Sequence, residues 1–188
     1  MSATVQAEPK FTPEDLLAMP DGVGCELVDG ALAERNISLE SSWVAAKLGR
    51  LLGNVQGIDT LGGIIGPDLG YRCFPDRPGK VRKPDLSFIR WDRLGPGDIE
   101  AGFCPVAPDL AVEVLSPNDT ADEFEVKVQE SLDAGVRLVW VVRPGGRIVE
   151  VHTPDGRVVT FSQGEMLACE AVIPGSRCRV ADLFPTSR

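Results

Sequence analysis

The strongest constraint on this chain is a glutamate in the middle of an apolar strand. Residues 109–115 read DLAVEVL. Alternation puts Asp109, Ala111, Glu113 and Leu115 on one face and Leu110, Val112 and Val114 on the other. A charged carboxylate in a dry interior costs several kcal/mol or more unless it is paired or bound to a metal. Glu113 therefore demands a partner. Twenty-eight residues earlier a second short strand, PDLSFI, opens with Asp85, which shares a face with the small Ser87 and lies opposite Leu86 and Phe88.

After Glu113 the chain turns at Ser-Pro-Asn-Asp and enters a helix announced by Thr120-x-x-Glu123, a capping box, which runs to about Ala134 and ends at Gly135. Phe124, Val128 and Leu132 mark its buried face. Lys127 falls about 60° from Phe124, beside Ser131, at the edge of that face. From there an ammonium can reach the end of the sheet that carries the two acids. Mg2+ and similar hard cations use one or two carboxylates and keep waters and substrate phosphate for the rest. A cation beside them can orient water and offset charge on an attacked phosphate. A lone aspartate after proline is commonly a turn residue, and a lone lysine at a helix edge commonly snorkels. Glu113 is the hardest of the three to explain as structure alone.

The remaining pattern predicts a tail over residues 1–11 and a single domain over 12–188, a size sufficient for a substantial core. Thr12-Pro13-Glu14-Asp15 starts a short helix. CELVDGALAER reads as two strands turning at Asp29-Gly30, with Glu26 in the first. Apolar positions 44, 48, 51, 52 and 55 predict a helix from Leu39 to about Gln56, closed by glycines 57, 62 and 63. Residues 64–74 and 84–90 read as strands forming a hairpin across Pro75–Gly79, and residues 94–108 as a loop. VRLVWVV, RIVEVHT and RVVTF form an antiparallel C-terminal meander with turns at Pro144-Gly145-Gly146 and Asp155-Gly156. The expected class is α/β (α+β), a mixed central sheet flanked by helices.

Charge narrows the function classes without deciding among them. The net charge of −9 argues mildly against a nucleic-acid partner. Yet residues 71–93 hold seven Lys or Arg and three Asp, a strip that reads equally as a solvated edge or as phosphate-facing. The one histidine, His152, reads as an ordinary exposed strand residue, and Ser116 has no Ser-His-acid context. No phosphate-cradling glycine motif appears. Five cysteines without a C-x-x-C pair, no signal-peptide pattern and no membrane-length apolar run give a cytoplasmic expectation without a membrane partner.

Taken together, CELVDGAL, KPDLSFI, LAVEVLSPNDT, the helix with Lys127 and DAGVRLVWVV resemble the Uma family (the "Uma two" family) of endonucleases in the PD-(D/E)xK superfamily. The resemblance spans roughly residues 12–184, and VEVLSP after a PD strand is its most specific part. It implies a restriction-endonuclease-like fold and Mg2+- (or Mn2+-) dependent hydrolysis of DNA phosphodiester bonds, by a homodimer if both strands are cut. It implies metal-binding roles for Asp85 and Glu113, with Glu26 completing the site as ligand or support. Lys127 takes the role of a lysine usually found two residues after the acid, where this chain has Leu115. The chain departs from the family at Ser131, at GVRLVW, at Arg143 and at Ser41 or Ser42, which stand where a histidine is frequent. The competing expectation is a non-catalytic nucleic-acid-binding or assembly module on the same fold.

Overall fold

Local signals set the helix starts, and a few long-range contacts set everything else. The computed structural model of the chain describes residues 10–117 and 119–185. Most of the expected tail and Asn118 of the expected turn lie outside the described residues. Phe11, the tail's last expected residue, is tied down: its N–H donates to the Gly30 carbonyl at 2.8 Å. Helix α1 (Pro13–Ala18) follows a capping box of Thr12 and Asp15. Strands β1 (Cys25–Val28) and β2 (Ala31–Glu34) pair antiparallel as a separate ribbon. Their turn holds Asp29 and Gly30 at φ of +52° and +87°, the positive pair that a two-residue hairpin turn of this hand requires.

Helix α2 (Leu39–Gly53) starts at a capping box of Ser38 and Ser41 and buries Val44, Leu48 and Leu52. It stops three residues short of the expected Gln56, and a separate turn of helix, α3 (Ile58–Leu61), follows. The sheet begins with β3 (Gly62–Ile65) and β4 (Leu86–Arg90), paired antiparallel. This corrects the expected hairpin of 64–74 with 84–90. Residues 66–85 instead make a long excursion in which Tyr71 bridges to Arg82 and Cys104, and Val81 bridges to Leu27. Two side-chain features hold it there. The Tyr71 hydroxyl sits 2.7 Å from Ser87 Oγ in the interior, and a Cβ on Gly70 would come 2.6 Å from Val81.

Strand β5 (Leu110–Val114) is buried throughout, runs antiparallel to β4 and parallel to β6 (Leu138–Arg143), and reaches β6 through α4 (Ala121–Asp133). The predicted meander follows as β7 (Ile148–His152) and β8 (Val158–Phe161). The six strands lie in order β3-β4-β5-β6-β7-β8. A short pair not marked in the sequence, β9 (Met166–Leu167) with β10 (Cys178–Arg179), closes the C-terminal part.

The alternation predicted for β5 decides the two faces. Leu110, Val112 and Val114 join Phe88, Trp140 and Val142 under α2 and the C-terminal segment. Ala111, Val139 and Val141 pack instead against Phe124 and Val128 of α4. Glu113 therefore faces the helix that carries Lys127. Among the described residues no helix is long and apolar enough to cross a membrane.

Candidate active site

Asp85 precedes β4, and its carboxylate ends the β4–β5 ladder. One oxygen accepts from the Val114 N–H at 2.8 Å and the other from Arg35 Nη2 at 2.6 Å. Arg35 stands just after β2 and also donates from Nη1 to the Pro67 carbonyl at 3.0 Å. Burial holds the Asp85 carboxyl above its usual range, against the Val114 N–H and the Arg35 charge, which pull it down. Glu113 is 7% exposed, and among the described residues no group donates a hydrogen bond to it. Burial first, opposed by Lys127 and reinforced by Asp85 and Glu26, pushes its carboxyl up to about 8. The two acids, Arg35, Lys127, Asn36 and Asp119 line a pocket of about 20 Å3, room for one water or ion.

Lys127 reaches this pocket from α4, as its position at the edge of the apolar face predicted. Its Nζ lies 3.1 Å from Glu26 Oε2. Burial opposes the ammonium charge, but Glu113 and Glu26 outweigh it and hold the group above its ordinary value. Glu26 is 1% exposed and fully engaged. It accepts from the Lys83 N–H at 2.8 Å and from Arg82 Nη1 at 2.9 Å, in addition to the Lys127 contact. Burial raises its carboxyl, but Lys127, Arg82 and the Lys83 N–H together lower it below the usual range. Arg82 in turn bonds Glu130, three residues after Lys127, at 2.7 and 3.0 Å, and buried Lys80 joins Glu130 from the other side.

The structure thus brings Asp85, Glu113 and Lys127 to one pocket and sets Glu26 behind the lysine, among cations. Among the described residues, no three His, Cys, Asp or Glu side chains converge as a ready metal cage. The donor set still suits a hard divalent cation supplied with waters: a buried carboxyl that lacks a donor among the described residues faces a second acid across a water-sized space. Glu26, with both oxygens engaged, fits support of Lys127 better than ligation.

Arg35 and Arg82 carry no mark in the sequence, because each meets its carboxylate more than 45 residues away along the chain. The basic strip 71–93 is part buried and part solvated, and most of its cations meet acids of this chain. Lys80 and Lys83 are buried; Arg72 pairs with Glu14, Arg90 with Asp92 and Arg93 with Asp109. Ser41, one of the two serines near the start of α2, completes the capping box with Ser38 and accepts from Ser116 Oγ at 3.1 Å. His152 corrects the exposed reading. It is half-buried on β7 with Nε2 3.8 Å from Glu150, and burial lowers its pKa despite that neighbour.

A six-stranded mixed sheet between helices, with one acid on β5, a second just before β4 and a helix-borne lysine at one end, defines a mixed α/β class with a charged site at the end of its sheet. The chain matches the Uma2 family, described as "Putative restriction endonuclease", over residues 13–181, and it belongs to that family. It is also similar to the crystal structure of "a putative nuclease belonging to DUF820" from Anabaena variabilis ATCC 29413. That likeness has a TM-score of 0.78 at 19% identity and covers 93% of this chain and 97% of that one. At such identity it bears on the fold. No curated protein matches the chain.

Proposed function

We propose that the chain is a DNA endonuclease dependent on Mg2+ or Mn2+, with Asp85 and Glu113 as metal ligands and Lys127 beside the attacked phosphate. The observation that carries this reading is Glu113, a buried carboxyl lacking a donor among the described residues, across a water-sized pocket from a second acid. When bound, the cation supplies Lewis-acid polarisation of the phosphate and a more acidic attacking water.

The chain's own side chains do the rest. Lys127, held charged by Glu26 and by Glu113 when ionised, offsets negative charge on the phosphoryl oxygens as the water oxygen bonds to phosphorus, one P–O ester bond breaks, and the water's proton passes by way of solvent to the departing oxygen. Glu26 fixes the ammonium, and Arg82 and Glu130 fix Glu26. Arg35 holds Asp85 in line with the end of β5. For a duplex substrate a homodimer supplies one such site per strand. Five free cysteines suit a reducing compartment, in keeping with a cytoplasmic location.

A second reading, a non-catalytic module, draws on the engagement of both Asp85 oxygens by protein donors. Cleavage of supercoiled plasmid and single-stranded DNA with Mg2+, Mn2+ or EDTA separates the two. Cutting that needs metal and vanishes in Lys127→Ala supports the nuclease. Absence of cutting in every condition, together with absence of divalent-metal binding by calorimetry, favours the module.

A further inference from the structure

The pocket between Asp85 and Lys127 is flanked by two clefts, one mainly apolar and one that sets acids among apolar side chains. One, of about 330 Å3, runs from Arg35 and Asp85 along α2. Ala45, Ala46, Gly49 and Pro67 line it, with Ser42 and Asp68 as polar groups. Arg35 spans from Asp85 to the Pro67 carbonyl, so a single guanidinium is the partition between cleft and pocket. The other cleft, of about 430 Å3, lies beyond Lys127 and is lined by Glu34, Asp119, Asp122 and Glu123. Its cations, Arg82 and Lys127, are both tied to Glu26.

We propose that the apolar cleft receives a nucleobase, and that the substrate is single-stranded or locally unpaired DNA. This rests on the nuclease reading and names its substrate class. A nucleotide whose phosphate lies at the mouth of that pocket, beside Lys127, carries its base one sugar away, and the cleft adjoins the pocket at Arg35 and Asp85. In continuous duplex that base is stacked and paired; outside it, the base is free to enter a site that is mostly apolar with a few polar groups. The acidic cleft works in the same direction. Duplex DNA brings two dense rows of phosphate, which need unpaired cations nearby. Here the acids line that side, and most cations of the basic strip are already paired with acids of this chain, some of them at the surface. A single strand can set one phosphate at the mouth of the pocket and one base in the cleft, and turn away from the acids.

The test is equilibrium binding by fluorescence anisotropy in EDTA at fixed low salt. The probes are one labelled sequence as a single strand, as a continuous duplex, and as a duplex with a one-nucleotide bulge. The single strand and the bulged duplex are expected to bind roughly tenfold more tightly than the continuous duplex, the scale of one base's contribution. Ala46→Phe, which fills the cleft from the surface of α2, removes that advantage and leaves duplex binding unchanged. An abasic nucleotide at the bulge must remove it too, with the natural protein and no variant. Equal or tighter binding of the duplex, an abasic bulge that binds like the intact one, or no binding of any probe overturns the proposal. Cleavage of the same three probes with Mg2+ or Mn2+ is scored separately. No cutting of any probe while the binding order holds sinks the nuclease reading alone. Preferential cutting of the duplex sinks the base cleft alone.

Discussion

Replacing Glu113 by glutamine is predicted to stabilise the metal-free protein, by an amount that grows as pH rises from about 5 to about 8 and is full above that. The Glu113 carboxyl is raised from 4.5 to about 8 by burial. A carboxyl raised on folding contributes stability that is fully present below its unfolded value and is lost as pH climbs through its folded value. Acting alone, Glu113 would cost about 1 kcal/mol near pH 5 and about 5 kcal/mol near pH 9. It does not act alone. Removing its charge also removes its support of the Lys127 ammonium, which is 23% exposed on its side chain and can turn towards water. That coupling reduces the expected gain at pH 9 to about 2–3 kcal/mol, or roughly 5–10 °C in Tm for a chain of this size. Calorimetry in EDTA near pH 5 and pH 9 measures it, with a shift of at most about 2 °C expected at the lower pH. Adding Mn2+ at pH 9 should stabilise the natural protein and not the variant. An equal shift at both pH values, or a loss of stability at pH 9, would refute the reasoning, because Glu113 would then be ionised and well paired by Lys127.

Arg82→Ala leaves Glu26 and Glu130 without a shared cation in the interior and should lower stability by about 3–5 kcal/mol, read by urea unfolding. Arg35→Met removes a positive charge 2.6 Å from Asp85, and Mn2+ affinity by calorimetry should rise by about tenfold, with no rise counting against Asp85 as a ligand. Gly62→Ala would put a Cβ 2.2 Å from the Ile89 carbonyl and beside the Phe88 ring; the β3–β4 pairing must shift, at about 3 kcal/mol or more in chemical denaturation. Tyr71→Phe strips Ser87 of its buried partner and should cost about 1–2 kcal/mol in the same measurement.

The legible parts of the fold and site are those whose cause is local. Thr12, Ser38 and Thr120 each open a helix through bonds made within three residues. Asp29-Gly30 turns because its own backbone must take positive φ. Glu113 stands out since an acid contradicts its apolar strand, and Lys127 since helical spacing fixes its bearing on Phe124. The illegible parts depend on distant partners. The excursion of residues 66–85 carries strand-like composition, yet Tyr71 and Val81 bridge to Arg82, Cys104 and Leu27 and leave β3 to pair with β4 directly. Arg35, Arg82 and Lys80 look like surface cations until the carboxylates that cover them come into view. Glu26 reads as a ligand by its motif, and only the three donors around it show its commitment to Lys127.

The network that holds Lys127 joins segments far apart in the chain. Residue 22 meets 83, residue 26 meets 82, 83 and 127, and residue 130 meets 77, 80 and 82. Each link closes a large loop before it returns any energy, so these links belong to the slow, non-local side of folding. The capping boxes and the crossover β5–α4–β6 can form earlier from nearby residues. A chain paused at that stage has its sheet centre under construction while Glu26, Glu113, Lys127 and Glu130 are still hydrated. Those charges, of which only that of Glu113 costs stability once buried, keep the half-formed species in water. The same groups that define the site then act as solubilising guards during its assembly, and neutralising them would be felt first as lower refolding yield.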